Sequence, residues 1–556
     1  MKKWILVLVA FAGLMVVGGC GRDHEPIDEQ NGEYFAEITT NEIVAGNVAG
    51  EMQNTDTTIV PAISLEDVLA RAYTRREGII KPDKYAIVDL VRGRAGQTVD
   101  ITALRERPET PPIIMPLEDA LYDAQVLFDI LRQTYGAYIY FGGDEVFLPV
   151  FDEIIETLST REEWNMAMFA GVLYNALSPH INDNHFVIGR RALGNAYKFL
   201  TLLDSEPNLF DRGERGIRNR KTGLYVVDLL LDGATLHQEI DEMFRLALSI
   251  EGEFYYSLVV VKPYEEVLNQ AFMLTIVYEN GDEEDIFISS AMPRRIHYQA
   301  PTLESHSGIS VVTIRGMGWP YAPERGGTSV RTSASARQFL DFADELQDEP
   351  VIIIDVRSNI GGNSRLGPMW FERLLNENVP SNFLSLVSID NTEILAFIEH
   401  VAAIPEDVVL EHDAFYLFID GYGFIRYDQW VESVDLIDGV VHEISNNLPD
   451  RIISNDILLI FLTDRYTVSA GEAFADLAFN IENTLVIGQN TAGMLNTSGG
   501  SALFLPRSGQ HISFGHFAHV HPPGHLPEGI GLTPDIWVHG DALAATFAML
   551  ESQGLR

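Results

Sequence analysis

Four short runs in the last half of the chain carry almost no polar residue: ISVVTI at 309–314, VIIID at 351–355, ILLIFL at 457–462 and TLVIG at 484–488. None alternates and none is long enough for a buried helix, so each reads as a strand with both faces covered. Helical patterns separate them, one at 333–346 with Phe339, Phe342 and Leu346 on one side, another opening at Ser469. Strands joined by helices on this plan predict an α/β core around a sheet covered on both faces.

A chain of 556 residues exceeds one compact core, and its remaining parts read differently. Residues 1–20 have Lys2 and Lys3 before an apolar stretch at 4–17 that ends in VGGC at 17–20, the pattern of an export signal. Residues 21–60 form an acidic tether, and 61–115 a small module with a helical pattern at 65–72 and a strand at 85–91. Residues 116–195 are helical, with helices expected from Leu117, at about 147–158 and at about 162–177. Residues 196–300 hold strand-like runs at 224–231, 254–261 and 272–278, the last followed by an Asn280–Gly281 turn signal. Residues 301–556 are the α/β core, interrupted by an insertion at 363–456 that is rich in aromatic residues, among them Tyr416, Phe418 and Phe424.

Net charge narrows the partners. A formal charge of −42 repels nucleic acid and anionic membrane surfaces. Cys20 is the single cysteine, so a chain processed there has no thiol for disulfides or cysteine catalysis. The glycine pairs at 361–362 and 499–500 lack phosphate-loop spacing and a following lysine, which argues against a nucleotide. Five histidines crowd 511–525, and His519 and His521 would share one face of a strand, yet no adjacent carboxylate or thiolate completes a metal set. No cofactor or metal is expected.

Ser469 stands where an apolar run gives way to a helix, with Glu472 three residues on. That spacing is a capping box, and it is also where a hydrolase places a nucleophile. Three segments surround it in order: DVRSNIGG at 355–362, SAGE at 469–472 with TAG at 491–493, and GLTPD at 531–535. Together they resemble the tail-specific, C-terminal-processing serine peptidases and their tricorn-like relatives. DNH at 183–185, after a helix, resembles the family's D-x-H motif. VGGC at 17–20 resembles a bacterial lipoprotein box.

The resemblance implies a mixed-sheet, crotonase-like catalytic core, an N-terminal helical domain and a β-rich module in the position of a peptide-binding PDZ domain. In the tricorn-like branch it implies Ser469 as nucleophile, His185 as general base and Glu528 orienting the histidine. Gly361, Gly362 and Ala470 would form the oxyanion hole, with Asp355, Arg357, Asn359, Glu472 and Asp183 in support. The other branch uses a lysine shortly after T-x-G. Met494 stands there, and Lys262 is the last lysine, so a serine–lysine pair in the core is not available. The expected protein is a membrane-anchored, extracytoplasmic serine endopeptidase acting on peptides or proteins, lipidated at Cys20. The alternative is an inactive lipoprotein that binds a ligand or peptide on the same fold.

Overall fold

The computed structural model describes residues 63–79, 101–388 and 452–555, with short interruptions, and four short strands within 389–451. Cys20, the tether and the strand expected at 85–91 lie outside the described residues, as do the side chains of Tyr416, Phe418 and Phe424.

The apolar runs form the centre of one large mixed sheet. Strands Ile309–Thr313, Val351–Asp355, Leu458–Thr463, Thr484–Gly488 and Ile536–Trp537 lie side by side and parallel. Their lack of alternation has the expected cause. Ile352, Ile354, Leu459 and Phe461 face one core, while Ile353, Ile460 and Leu462 face another, all nearly inaccessible. The first core is closed by helices Gly327–Glu345, Leu366–Leu375 and Ala470–Leu477, where Phe339 stacks on Trp370 at 5.6 Å and Phe474 meets Phe461 edge-on at 5.1 Å. Each such buried ring contributes roughly 1.5–3 kcal/mol relative to exposure. The second core is closed by Leu65–Glu77 and Ala542–Ser552. The α/β class with a mixed sheet is therefore as the sequence led us to expect.

The sheet does not end with the core. Ile536–Trp537 pairs in parallel with Phe244–Leu248, and from there the order continues through Phe254–Pro263, Tyr197–Leu202, Glu283–Ser290, Phe272–Tyr278 and Val226–Leu231. These later pairings are antiparallel.

Helices Leu117–Thr134, Gly143–Leu158 and Met166–Leu177 form a third core, with Phe128 stacked on Phe151 at 4.7 Å. The third of them starts later than expected. Residues Glu163–Asn165 pair as a strand with Ile114–Pro116, and Asn165 then caps the helix by accepting the Met168 N–H at 2.9 Å. This core also takes Leu503, Ile512 and Phe514 from a four-stranded sheet in which Val187–Ile188 pairs with His511–Phe514. The late strands thus hold the segment bearing His185 against the core that carries Ser469. Among the described residues, no helix is long and apolar enough to cross a membrane.

Candidate active site

Ser469 directly precedes helix Ala470–Leu477 and has φ 51° and ψ −120°, a conformation that costs a β-carbon-bearing residue of order 1–3 kcal/mol. Its surroundings hold it there. The Ser469 N–H donates to Glu472 at 3.0 Å, and its carbonyl accepts from the N–H groups of Glu472 and Ala473. The side chain makes no cap bond to the helix. Instead Oγ lies 3.1 Å from Nε2 of His185, across 284 positions of sequence.

Glu472 is fully buried and accepts four bonds, from the Thr491 hydroxyl and the N–H groups of Gly493, Met494 and Ser469. Burial pushes its carboxyl up, and those donors oppose the shift. Met494, in the family's lysine position, contributes a backbone amide to this ring of donors.

The glycine loop lies against the serine. A β-carbon on Gly361 would sit 2.9 Å from Ser469 Cβ, and one on Gly362 would sit 2.1 Å from the Met317 carbonyl oxygen. Both glycines have positive φ. The Gly361 N–H donates to Asn359 Oδ1 at 2.9 Å and is spent there, whereas among the described residues no hydrogen bond engages the N–H of Gly362 or Ala470. Asn359 in turn donates to the Ile314 carbonyl. Asp355 anchors the loop through Arg357 and through Arg315, whose guanidinium also reaches the carbonyls of Asp355 and Arg357. Burial alone would raise Asp355, but the two guanidinium groups hold it at about 2. Arg315 escaped the sequence reading. Its only signal is a charge directly after an apolar strand.

Glu528 lies behind the histidine without touching its ring. Its carboxylate accepts the N–H groups of Asn184 at 2.7 Å, Leu495 at 3.2 Å and Asn496 at 3.0 Å. His185 Nδ1 is buried and has no hydrogen-bond partner. Asp183 accepts the His185 backbone N–H at 2.9 Å, and also the hydroxyls of Tyr135 and Thr497. Burial lowers the His185 pKa, and the Asp183 charge opposes it. Burial, reinforced by Asp183, pushes Glu528 up to about 8.

A carboxyl raised in the folded state binds a proton that the unfolded chain has already lost. Its contribution is complete below the unfolded value, about 4.5, and is lost as pH rises through about 8. Urea unfolding across that window should therefore show wild type losing stability by up to ~1.4 kcal/mol per pH unit relative to Glu528→Gln. Parallel pH slopes for the two proteins would refute the raised value.

Part of the histidine tract stays together, with the rings of His519 and His521 6.4 Å apart and both against Phe383. His521 bonds the Leu495 carbonyl at 2.9 Å, and His525 meets buried Asp476 at 2.5 Å. Among the described residues, no group of three or more potential ligands could hold a metal. Arg465, also missed in the sequence, ties the loop at Thr491 to the carbonyls of Gly529 and Ile530, keeping the Glu528 segment beside TAG.

No curated protein matches the chain. Solved structures with a similar course include mature CPAF complexed with lactacystin, with 12% identity, 79% of this chain and 98% of that one covered, and a TM-score of 0.38. The photosystem II D1 C-terminal processing protease gives 12%, 79%, 97% and 0.33 on the same measures, and the tricorn protease 13%, 78%, 37% and 0.31. Residues 403–538, which hold both Ser469 and Glu528, match peptidase family S41, and the protein is a serine-type peptidase.

Proposed function

We propose that the protein is an endopeptidase in which Ser469 attacks the peptide carbonyl, His185 takes its proton, and the Asp183 carboxylate and the Glu528 carboxyl govern the histidine. The observation that carries this reading is the 3.1 Å approach of His185 Nε2 to Ser469 Oγ. Serine needs such a base, because its hydroxyl is a weak nucleophile at its own pKa. Burial keeps His185 neutral and able to accept the proton. The oxyanion would receive the N–H of Ala470, at the positive end of its helix, and that of Gly362. His185 would return the proton to the amine as the C–N bond breaks, and the acyl-enzyme left on Oγ would be released by water that His185 deprotonates in turn. Glu528 would complete a Ser–His–Glu set once the His185 ring or the Glu528 segment shifts to join Nδ1 to the carboxyl and the carboxyl gives up its proton. In this arrangement Asp183 supplies the nearest opposing charge.

We also place the enzyme outside the cytoplasm, tethered to a membrane by a lipid on Cys20. The basic and apolar residues preceding VGGC support this part of the reading. Mass spectrometry of the amino-terminal peptide tests it, and an unprocessed Met1 end without lipid would refute it.

A fluorophosphonate probe should label wild type and spare Ser469→Ala and His185→Ala, whereas equal labelling of all three would refute the mechanism. Absence of labelling in wild type would favour the inactive binding lipoprotein. The pH profile gives a second test. Because the His185 pKa is lowered, kcat/KM should hold as pH falls through 6.5 and decline only below it.

A further inference from the structure

A groove of about 620 Å³ lies apart from the serine, between the start of helix Met166–Leu177 and the strands at 187–192 and 501–514. Its size falls within the ~300–1,000 Å³ of ordinary ligand clefts. Arg107 and Arg190 line it, and neither makes an ion pair among the described residues. In a chain with 80 acidic and 38 basic residues, two guanidinium groups left without an acid at one groove are a local reversal of charge.

The helix adds to that field. Its first residues, Met166 and Ala167, line the groove, its first turn has no acidic residue, and Asn165 occupies only the Met168 N–H. Gln510, 7% exposed, also faces the groove. Its amide nitrogen donates to the His511 carbonyl at 3.2 Å, and among the described residues nothing donates to Oε1. The walls are apolar, formed by Pro111, Pro112, Phe504 and Ile113, the last 85% exposed.

We propose that this groove holds a segment of the polypeptide substrate in which carboxylates neighbour a hydrophobic residue. The arginines and the helix end take the carboxylates, the apolar walls take the hydrophobic side chain, and Gln510 Oε1 accepts a main-chain N–H. The groove lies along the same chain segment as the base: Arg190 is five residues past His185, at most about 18 Å of extended chain. A single extended substrate can occupy both places. This inference rests on the peptidase reading, and its test keeps the two apart.

Binding is measured by fluorescence anisotropy on the Ser469→Ala protein, where hydrolysis cannot interfere. The probes are a labelled peptide containing Phe-Asp-Glu-Asp, its Phe-Asn-Gln-Asn counterpart, and each with an amidated carboxyl terminus. The acidic peptide should bind at least about tenfold tighter than its neutral counterpart at low salt. The exposed double substitution Arg107→Glu and Arg190→Glu should erase that preference, and Ala167→Trp, which fills the groove without changing charge, should weaken both peptides.

Preference that survives amidation assigns the carboxylate to side chains, and preference lost with it assigns the terminus; either supports the groove. Equal affinity for acidic and neutral peptides, or a preference that survives the double substitution, overturns it. Cleavage of a denatured-protein mixture by wild type and Ser469→Ala is scored separately. Without Ser469-dependent cleavage the peptidase reading fails, while the binding result still decides the groove.

Discussion

Ser469→Ala should lower kcat for peptide hydrolysis by at least about 10⁴-fold, and His185→Ala by a comparable factor. The double variant should be scarcely worse than either single one, because the two side chains act as one unit across their 3.1 Å contact. Steady-state kinetics on an internally quenched peptide measures this, with KM expected to change little. Ser469→Ala should also leave the fold intact or stabilise it slightly. Alanine keeps the backbone bonds to Glu472 and loses only a hydroxyl that bonds no helix amide. A variant that retained wild-type turnover would place the chemistry elsewhere.

Arg315→Leu should cost about 3–5 kcal/mol of stability, the usual loss when one member of a buried ionic group is removed. Arg315 is 3% exposed and makes four bonds to Asp355 and the Arg357 carbonyl. Without it, Asp355 keeps Arg357 and its carbonyl keeps the Ile314 N–H, but the Asp355 carboxylate loses two buried guanidinium bonds and the Arg357 carbonyl loses the Arg315 donor. The shortfall should appear as a lower urea midpoint. Turnover should fall as well, because the same loop packs Gly361 against Ser469. A surface arginine such as Arg373, which pairs only with exposed carboxylates, should lose less than ~1 kcal/mol when changed to alanine.

How far the sequence disclosed this molecule depended on how each element is buried. Strands such as Val351–Asp355 and Thr484–Gly488 are covered on both sides, so unbroken apolar runs without alternation announce them. Ile536–Trp537 consists of two residues, too few for any pattern, and yet it joins the core to the strands at 197–290. Only pairing far along the chain makes it a strand. The meeting of His185 with Ser469 is suggested by motif order and not by any local signal, since the two are 284 positions apart. The partners of Glu528 could not be read at all. They are backbone amides of Asn184, Leu495 and Asn496, and an amide has no sequence identity. Tyr135 closes on Asp183 in the same hidden way, through a hydroxyl that looked like one more aromatic position at a helix end.

The hydrogen-bonded passage from Thr484–Gly488 through Ile536–Trp537 to Phe244–Leu248 gives the molecule a mechanical character. Two bodies joined by a loose linker could swivel and bring a captured chain to the nucleophile at any angle. Here the strands beyond the core are welded to the plate on which the nucleophile is mounted. A tug on those outer strands would travel along the pleat as along a lever, and any gating motion has to come from the helical lobe or the loops above the plate.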